Sequence, residues 1–589
     1  MNIRSHWMVL LHAIATAFLV SLPLILFPLL AGAEYAGINF LSFGTDQQFY
    51  LSRGREVLDG NGLGNSILRD GKDNPDPFST MNERVLLAPY QWLGVGEKIN
   101  VATLYTVMNM VGIAILVLLI YALAYQLTED KFVSSLIGVS VIAGSSIVFT
   151  HHLFSQDPNI YGRAMTPYLS SIALFAFLNA LVRTMVKPKI KTQILATLLF
   201  GALFYVYLFA WTYALVLSGV LFLVSLCVKK RKEAIRVLYM TLGGLVLGVP
   251  TLIRLATSLF VHPDRSLSYF EFLEHSRAPL FSIVGAVLLV LFAVSVWKKR
   301  NDERFPFLFA IILSGWIVLN QQLITGIRLQ PGHYYWYFVV PLGIVVALVL
   351  LWLLAPRRWR MWGCAALFFV MYVSMGGSQY LAANATKSRL LEEQRFRPML
   401  DALNAELSPT VVFAAPNDHA FLYIVYTHDD LLWHDAATLY HGDPERMTDM
   451  IVVMMLMNRD ARQDALGFLH RMAAYDIEPR YYADMYHTLE GFTTGLDYAA
   501  YRRQVDTNDS ALLPHREELI TTIASKFMEA LHDQNGLTSR LQAYGVSYLV
   551  WDEASDPAWD VSLVPGLVEI KTDGQLHLYR VEGETSDVR

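Results

Sequence analysis

Apolar residues form long runs up to about residue 382 and only short, interrupted ones beyond it. The long runs fall at roughly 7–32, 101–127, 132–150, 168–186, 192–208, 212–228, 236–254, 280–297, 306–325, 336–355 and 362–382. Each approaches the length needed to cross ~30 Å of hydrocarbon. Backbone polar groups in a bilayer must be satisfied within the segment, so the pattern predicts about 11 transmembrane helices. The stretch 192–228 is a single apolar run between two basic clusters, so it needs an even number of crossings. Two short helices turning near Tyr207 to Thr212 meet that need, as does a re-entrant pair. Beyond residue 382 the period changes. Thr410 to Ala414, Phe421 to Thr427, Val546 to Trp551, Leu567 to Lys571 and Leu576 to Val581 read as strands. Met447 to Ala474 and Arg516 to Asp533 read as helices. The chain thus divides into a polytopic α-helical membrane domain, 1–382, and a soluble α/β or α+β domain, 383–589.

Charge divides at the same place. Residues 1–382 hold 29 Lys/Arg and 18 Asp/Glu, and residues 383–589 hold 17 and 33. The halves carry +11 and −16, within a chain of net charge −5 that is 54% hydrophobic. The basic clusters Lys187-Lys189-Lys191, Lys229 to Lys232, Lys298 to Arg300 and Arg357-Arg358-Arg360 belong in the cytoplasm by the positive-inside rule. Eleven spans with the N-terminus inside put all four there and the acidic C-terminal domain outside. Thirteen of the 18 acidic residues of the membrane half then fall in outer loops. Cys227 and Cys364 both lie in apolar runs and imply neither a disulfide framework nor a metal site. Nothing in the charge pattern suggests nucleic acid as a partner. The first run is longer than a signal-peptide core and is followed by further spans, so it reads as a retained helix.

The outer loops hold the candidate chemistry. Asp46, Tyr50, Arg53, Glu56 and Asp59 have helical spacing, and Gly60, Gly62 and Gly64 then break any helix. Asp46 thus begins a short helix along the membrane surface, where desolvation and Arg53 could tune it. A carboxylate there serves equally as a helix cap. The second loop packs His151, His152, Asp157 and Arg163 into a few residues between spans, although Asp157-Pro158 is also ordinary turn chemistry. The segment 255–279, with His262, Asp264, Arg265 and the aromatics Tyr269, Phe270 and Phe272, reads as an interfacial helix. Near residue 325, Asn320-Gln321-Gln322 ends a span and is expected to line a cavity. Arg328, His333 and Tyr334 follow, where a guanidinium can grip phosphate. An aromatic belt with a snorkelling arginine is the plainer reading of the same residues. His419, His428, His434 and His441 read as surface and loop histidines.

Asp46 just past the first span, Gly201 to Trp211 in a pair of short helices, Asn320 to Tyr335, and the tail Leu541 to Val581 together resemble the GT-C superfamily of membrane glycosyltransferases. The likeness covers most of the chain, as architecture more than as motif. It implies a polyprenyl-phosphate-linked sugar donor, an inverting transfer and an acceptor outside a plasma (inner) membrane. By the same resemblance Asp46 is the general base and Asp157 a second acidic residue. Tyr50, Arg53, His152, Arg163, Arg328, His333 and Tyr334 would contact substrate or phosphate. No Asp-x-Asp stands in the second loop, and Trp433-His434-Asp435 only echoes the Trp-Trp-Asp of oligosaccharyltransferases. These departures favour a single-sugar transferase without a metal; no acidic pair supports a divalent cation, and no other cofactor is implied. Two other classes compete. A transporter or flippase of a lipid-linked substrate should show internal repeats. A non-catalytic envelope-assembly protein would not need Asp46.

Overall fold

A computed structural model describes residues 6–41, 45–261, 273–406, 409–414, 419–440, 443–507, 509–533, 536–564 and 566–581, with backbone alone at 45, 46, 258–261, 357, 359 and 435. Every predicted apolar run is helical among these residues. The first is a pair, α1 (Trp7–Val20) and α2 (Leu22–Ala31), bent by 50°. After it come two helices of the first long loop, α3 (Thr45–Asp59) and α4 (Asn82–Trp92). The remaining bundle is α5 (Val101–Thr128), α6 (Lys131–Thr150), α7 (Tyr168–Val186), α8 (Ile190–Val206), α9 (Leu208–Cys227), α10 (Arg231–Val261), α11 (Ile283–Lys299), α12 (Phe305–Leu319), α13 (Pro331–Leu354) and α14 (Arg357–Gln394). Among the described residues eight helices are long and apolar enough to cross a membrane, and the bent first pair makes up to nine. The other two, α8 and α11, have 17 residues each.

The basic clusters gather at one end of the bundle. Arg304 donates to the Leu127 carbonyl at 2.7 Å, joining the α11–α12 turn to the α5–α6 turn. Arg304 and Arg360 both lie over the Trp352 ring, at 5.2 and 5.0 Å. Arg236 reaches the Thr184 carbonyl from α10. The opposite end, the domain face, carries the long first loop, the 151–167 loop, the α8–α9 break and the C-terminal region. The last apolar helix, α14, runs unbroken past residue 382 to Gln394.

The C-terminal region is built on a mixed five-stranded sheet. Its strands are β3 (Val411–Ala414), β4 (Asp430–Leu431), β5 (Val546–Asp552), β6 (Leu567–Asp573) and β7 (Leu576–Val581), in the order β4-β3-β5-β7-β6. The strands β1 (Leu273–His275) and β2 (Ile327–Leu329) form a separate antiparallel ladder between bundle loops. In the large sheet β3 is parallel to both neighbours, and β7 antiparallel to its own. Period-2 alternation sends the two sheet faces to different cores. Val411, Phe413 and Leu549 pack on helices α17 (Pro444–Met457), α18 (Tyr481–Thr493) and α19 (Leu513–His532). Val412, Ala414, Tyr548 and Val550 pack on Ile38, Phe49, Leu63 and Ile67 of the first long loop.

Several expectations are corrected here. Phe421 to Thr427, read as a strand, is instead α16 (Phe421–Tyr426), preceded by α15 (Arg397–Asn404). Neighbouring parallel strands need a crossover between them, and this buried turn supplies it between β3 and β4. Met447 to Ala474 is not one helix: Asn458 and Asp464 each cap a new one. The histidines expected at the surface are mostly enclosed. His419 and His434 are buried and His428 holds Asp59 at 2.9 Å, while His441 lies outside the described residues. Burial pushes His434 down to about 4. Within 255–279, residues 262–272, with His262, Asp264, Arg265, Tyr269, Phe270 and Phe272, lie outside the described residues, and Leu273 to His275 is strand rather than helix.

Candidate active site

The helix predicted from Asp46 to Asp59 forms as α3, and Gly60, at φ +87°, ends it in a conformation other side chains resist. The Asp46 backbone sits in its first turn, and its side chain lies outside the described residues. Its neighbour Gln47 is buried and accepts the Ala164 N–H at 2.9 Å. That bond ties the first turn of α3 to the 151–167 loop. Tyr50, one turn on, lies beside Thr166 of the same loop, and burial raises its hydroxyl above the ordinary range. Arg53 is fully buried. It donates to both carboxylate oxygens of Asp76 (3.0 and 2.8 Å), to Glu83 (2.7 Å) and to Thr80 (3.2 Å), and it lies over Phe49 and Phe78. These partners commit the guanidinium to the fold of its own loop.

A polar cluster inside the bundle faces this turn. Arg163 donates to the Tyr337 hydroxyl at 2.6 Å. Tyr337 stacks on the His333 ring, at 5.3 Å and 19°. His333 Nδ1 meets the Tyr207 hydroxyl at 2.8 Å, and Phe209 packs edge-on against the same imidazole. Tyr334 is buried beside them, its hydroxyl 2.8 Å from Thr212. Three local devices hold the cluster. Asn109 donates to the Tyr161 and Arg163 carbonyls, at 2.7 and 3.1 Å, and fixes the loop. A π turn at Tyr335–Val339 widens the start of α13, a feature frequent at functional sites. The α8–α9 break leaves Tyr207 extended, at φ −165° and ψ 130°. The freed carbonyls of Tyr205 and Val206 accept from the Met81 N–H (2.8 Å) and the Asn82 amide (2.9 Å) at the start of α4.

Other predicted residues lie elsewhere. Asp157 and His152 are exposed, and Asp157 accepts from the Ser155 hydroxyl at 2.9 Å. Their loop is pinned to α14 through Ser155 with Ser378 and Asn159 with Gln379. Arg328 is ion-paired with Glu274 across the β1–β2 ladder. Asn320, Gln321 and Gln322 bond to Leu280, Ile327 and Ala278, so they stitch loops together instead of lining a cavity. Sequence reading missed Gln47, Asn109, Thr166, Tyr207 and Tyr337. Tyr207 left one usable trace, a polar residue at the centre of an apolar run too long for one span.

A second polar lattice clamps α3 to the C-terminal region. Lys72 lies between Glu56 (3.0 Å) and Asp430 (2.6 Å). Close backbone approach makes this fit: a Cβ on Gly64 would stand 2.2 Å from the Gly71 carbonyl oxygen. Burial pushes the Glu56 carboxyl up to about 7, with Lys72 opposing and Asp430 adding. Burial also works against ionised Asp59, but hydrogen bonds from His428 and Arg55 outweigh it and hold that pKa low. Ser52 joins Ser66, which joins Tyr440, in a fully buried chain of hydroxyls. The Leu431 N–H donates to the Ile67 carbonyl, so the first loop touches the β4 edge directly.

No family model matches this chain, and no curated protein sequence does. Among solved structures, one that is similar is the crystal structure of ArnT from Cupriavidus metallidurans bound to undecaprenyl phosphate. It has 12% identity and a TM-score of 0.46, covering 77% of this chain and 92% of that one. A second is the Archaeoglobus fulgidus oligosaccharyltransferase in complex with zinc and sulfate. It has 12% identity and a TM-score of 0.33, covering 92% of this chain and 68% of that one. Both likenesses are distant.

Proposed function

We propose that this protein is a membrane glycosyltransferase of GT-C type, which moves a sugar from a polyprenyl-phosphate-linked donor to an acceptor outside the cytoplasm. The observation that carries the reading is the meeting of the first turn of α3 with the Arg163 loop, opposite the Tyr207–His333–Tyr337 cluster. A carboxylate residue in the first turn of α3 and a cation on the loop bonded to that turn suit the two ends of such a transfer. Asp46 takes the proton of an acceptor hydroxyl as that oxygen bonds to the anomeric carbon. The bond from that carbon to the lipid phosphate oxygen breaks, with inversion, and the lipid phosphate leaves as an anion. Arg163, steadied by Tyr337, stabilises the charge that develops there. The domain face is the extracytoplasmic one, because the basic clusters gather at the other end.

The test uses the purified full chain in lipid, polyprenyl-phosphate sugars and an envelope-glycan extract as acceptor, with sugar transfer followed over time. Wild-type turnover that Asp46→Asn lowers by about 10²–10⁴, the range for a general base, in a normally folded variant supports the reading. Equal turnover in both removes Asp46 as the base. Transport of the lipid-linked sugar across vesicles without transfer would favour the flippase instead.

A further inference from the structure

The α4 helix has an apolar face that none of the described residues covers. Val85, Pro89, Trp92 and Leu93 fall at helical spacing on one side and are all exposed. Val85 is 66% exposed, Trp92 79% and Leu93 76%. Val85 and Trp92 also line an open groove of about 550 Å³, with Arg84, Asn61 and Gln91 among its walls. An apolar patch this open on one side of a helix marks a contact surface.

Its position says what covers it. The first residues of α4 bond to the carbonyls at the α8–α9 break, where the chain turns at the domain face. A few residues after its end the chain enters α5, the first long span beyond this loop. There Val107, Val111 and Ile115 form an exposed apolar row at the same helical spacing. The α4 face is therefore continuous along the chain with a surface that meets lipid. Arg84 and Lys98 flank it, where lipid phosphates would stand. Apolar residues with an interfacial tryptophan and flanking cations are the composition of a helix lying in the headgroup layer.

We propose that α4 lies in the leaflet on the domain face, with Val85, Trp92 and Leu93 in its apolar layer and Arg84 at phosphate level. The occupant of this face is the lipid surface, and not a partner protein. The proposal is independent of the reaction.

The test places an environment-sensitive fluorophore on α4 in phospholipid nanodiscs. Val85→Cys and Trp92→Cys are each made in a background carrying Cys227→Ser and Cys364→Ser, with Leu466→Cys as a control in the soluble region. Quenching by doxyl-labelled lipid should be several-fold stronger at 85 and 92 than at 466, with weaker quenching by aqueous iodide and blue-shifted emission. Emission and iodide quenching like those at 466 would overturn the proposal. Shielding from both quenchers would also overturn it, because protein would then cover the face. A second readout uses the unmodified chain with a phospholipid bearing a headgroup diazirine. After irradiation the 82–98 peptide should carry lipid label, and its absence with label on other bundle peptides would overturn the proposal.

Discussion

At the scale of single residues, partners decide roles that residue type leaves open. Arg53 and Arg163 look alike in sequence, each close to a candidate carboxylate. Arg53 meets two carboxylates within its own loop, whereas Arg163 reaches a tyrosine at the cluster. Tyr337→Phe removes the hydroxyl that steadies Arg163. A hydrogen bond to a charged group contributes about 1.5–3 kcal/mol. The variant should therefore fold normally and lose roughly ten- to a hundredfold in kcat, read from steady-state transfer. Glu56 gives a pH prediction with a definite sign. Its carboxyl titrates higher in the folded chain than in the unfolded one, so the folded chain holds the proton more tightly. Its contribution to stability is complete below the ordinary carboxylate range and is lost as pH rises toward about 7. Glu56→Gln, which mimics the protonated form, should flatten the fall in thermal stability over that window. At pH 8 it should be more stable than wild type by about 1–3 kcal/mol.

At the scale of elements, periodicity reads helices well and short buried runs poorly. The α3 helix follows from the spacing of its polar residues, and Gly60 marks its end. Phe421 to Tyr426 is apolar throughout and has no period of its own, so length and composition favour a strand. Its helical state follows from the parallel pairing of β3 with β4, which local sequence does not carry. The α8–α9 break is similar. Charge parity required a turn near Tyr207, but the donors that satisfy its freed carbonyls come from α4. Asn82→Ala leaves the Val206 carbonyl without that donor and should destabilise the protein by about 1–2 kcal/mol. Because Tyr207 then shifts against His333, activity should fall further than stability does, a split visible by comparing thermal unfolding with kcat.

At the scale of the whole molecule, the C-terminal region is built onto the site and shares a core with it. One face of its sheet packs on the first long loop, and Lys72 bridges Glu56 of α3 to Asp430 of β4. Lys72→Met leaves two buried carboxylates facing each other and should cost about 3–5 kcal/mol, measured by chemical unfolding in detergent. The loss should be smaller at low pH, where Glu56 takes up its proton. If the transfer needs no divalent cation, as the missing Asp-x-Asp suggests, chelation with EDTA should leave the turnover rate unchanged. A rate that falls with EDTA and returns with added metal would reverse that expectation. Sequence alone determined the helical bundle, the mixed helix-and-strand C-terminal region and the helix that begins at Asp46. Apolar run length and periodicity are local properties that survive without tertiary contacts. Tertiary structure alone decided which polar residues meet: Arg163 with Tyr337, His333 with Tyr207, Lys72 with Asp430. Those pairs join residues more than a hundred positions apart, and only packing sets their distance.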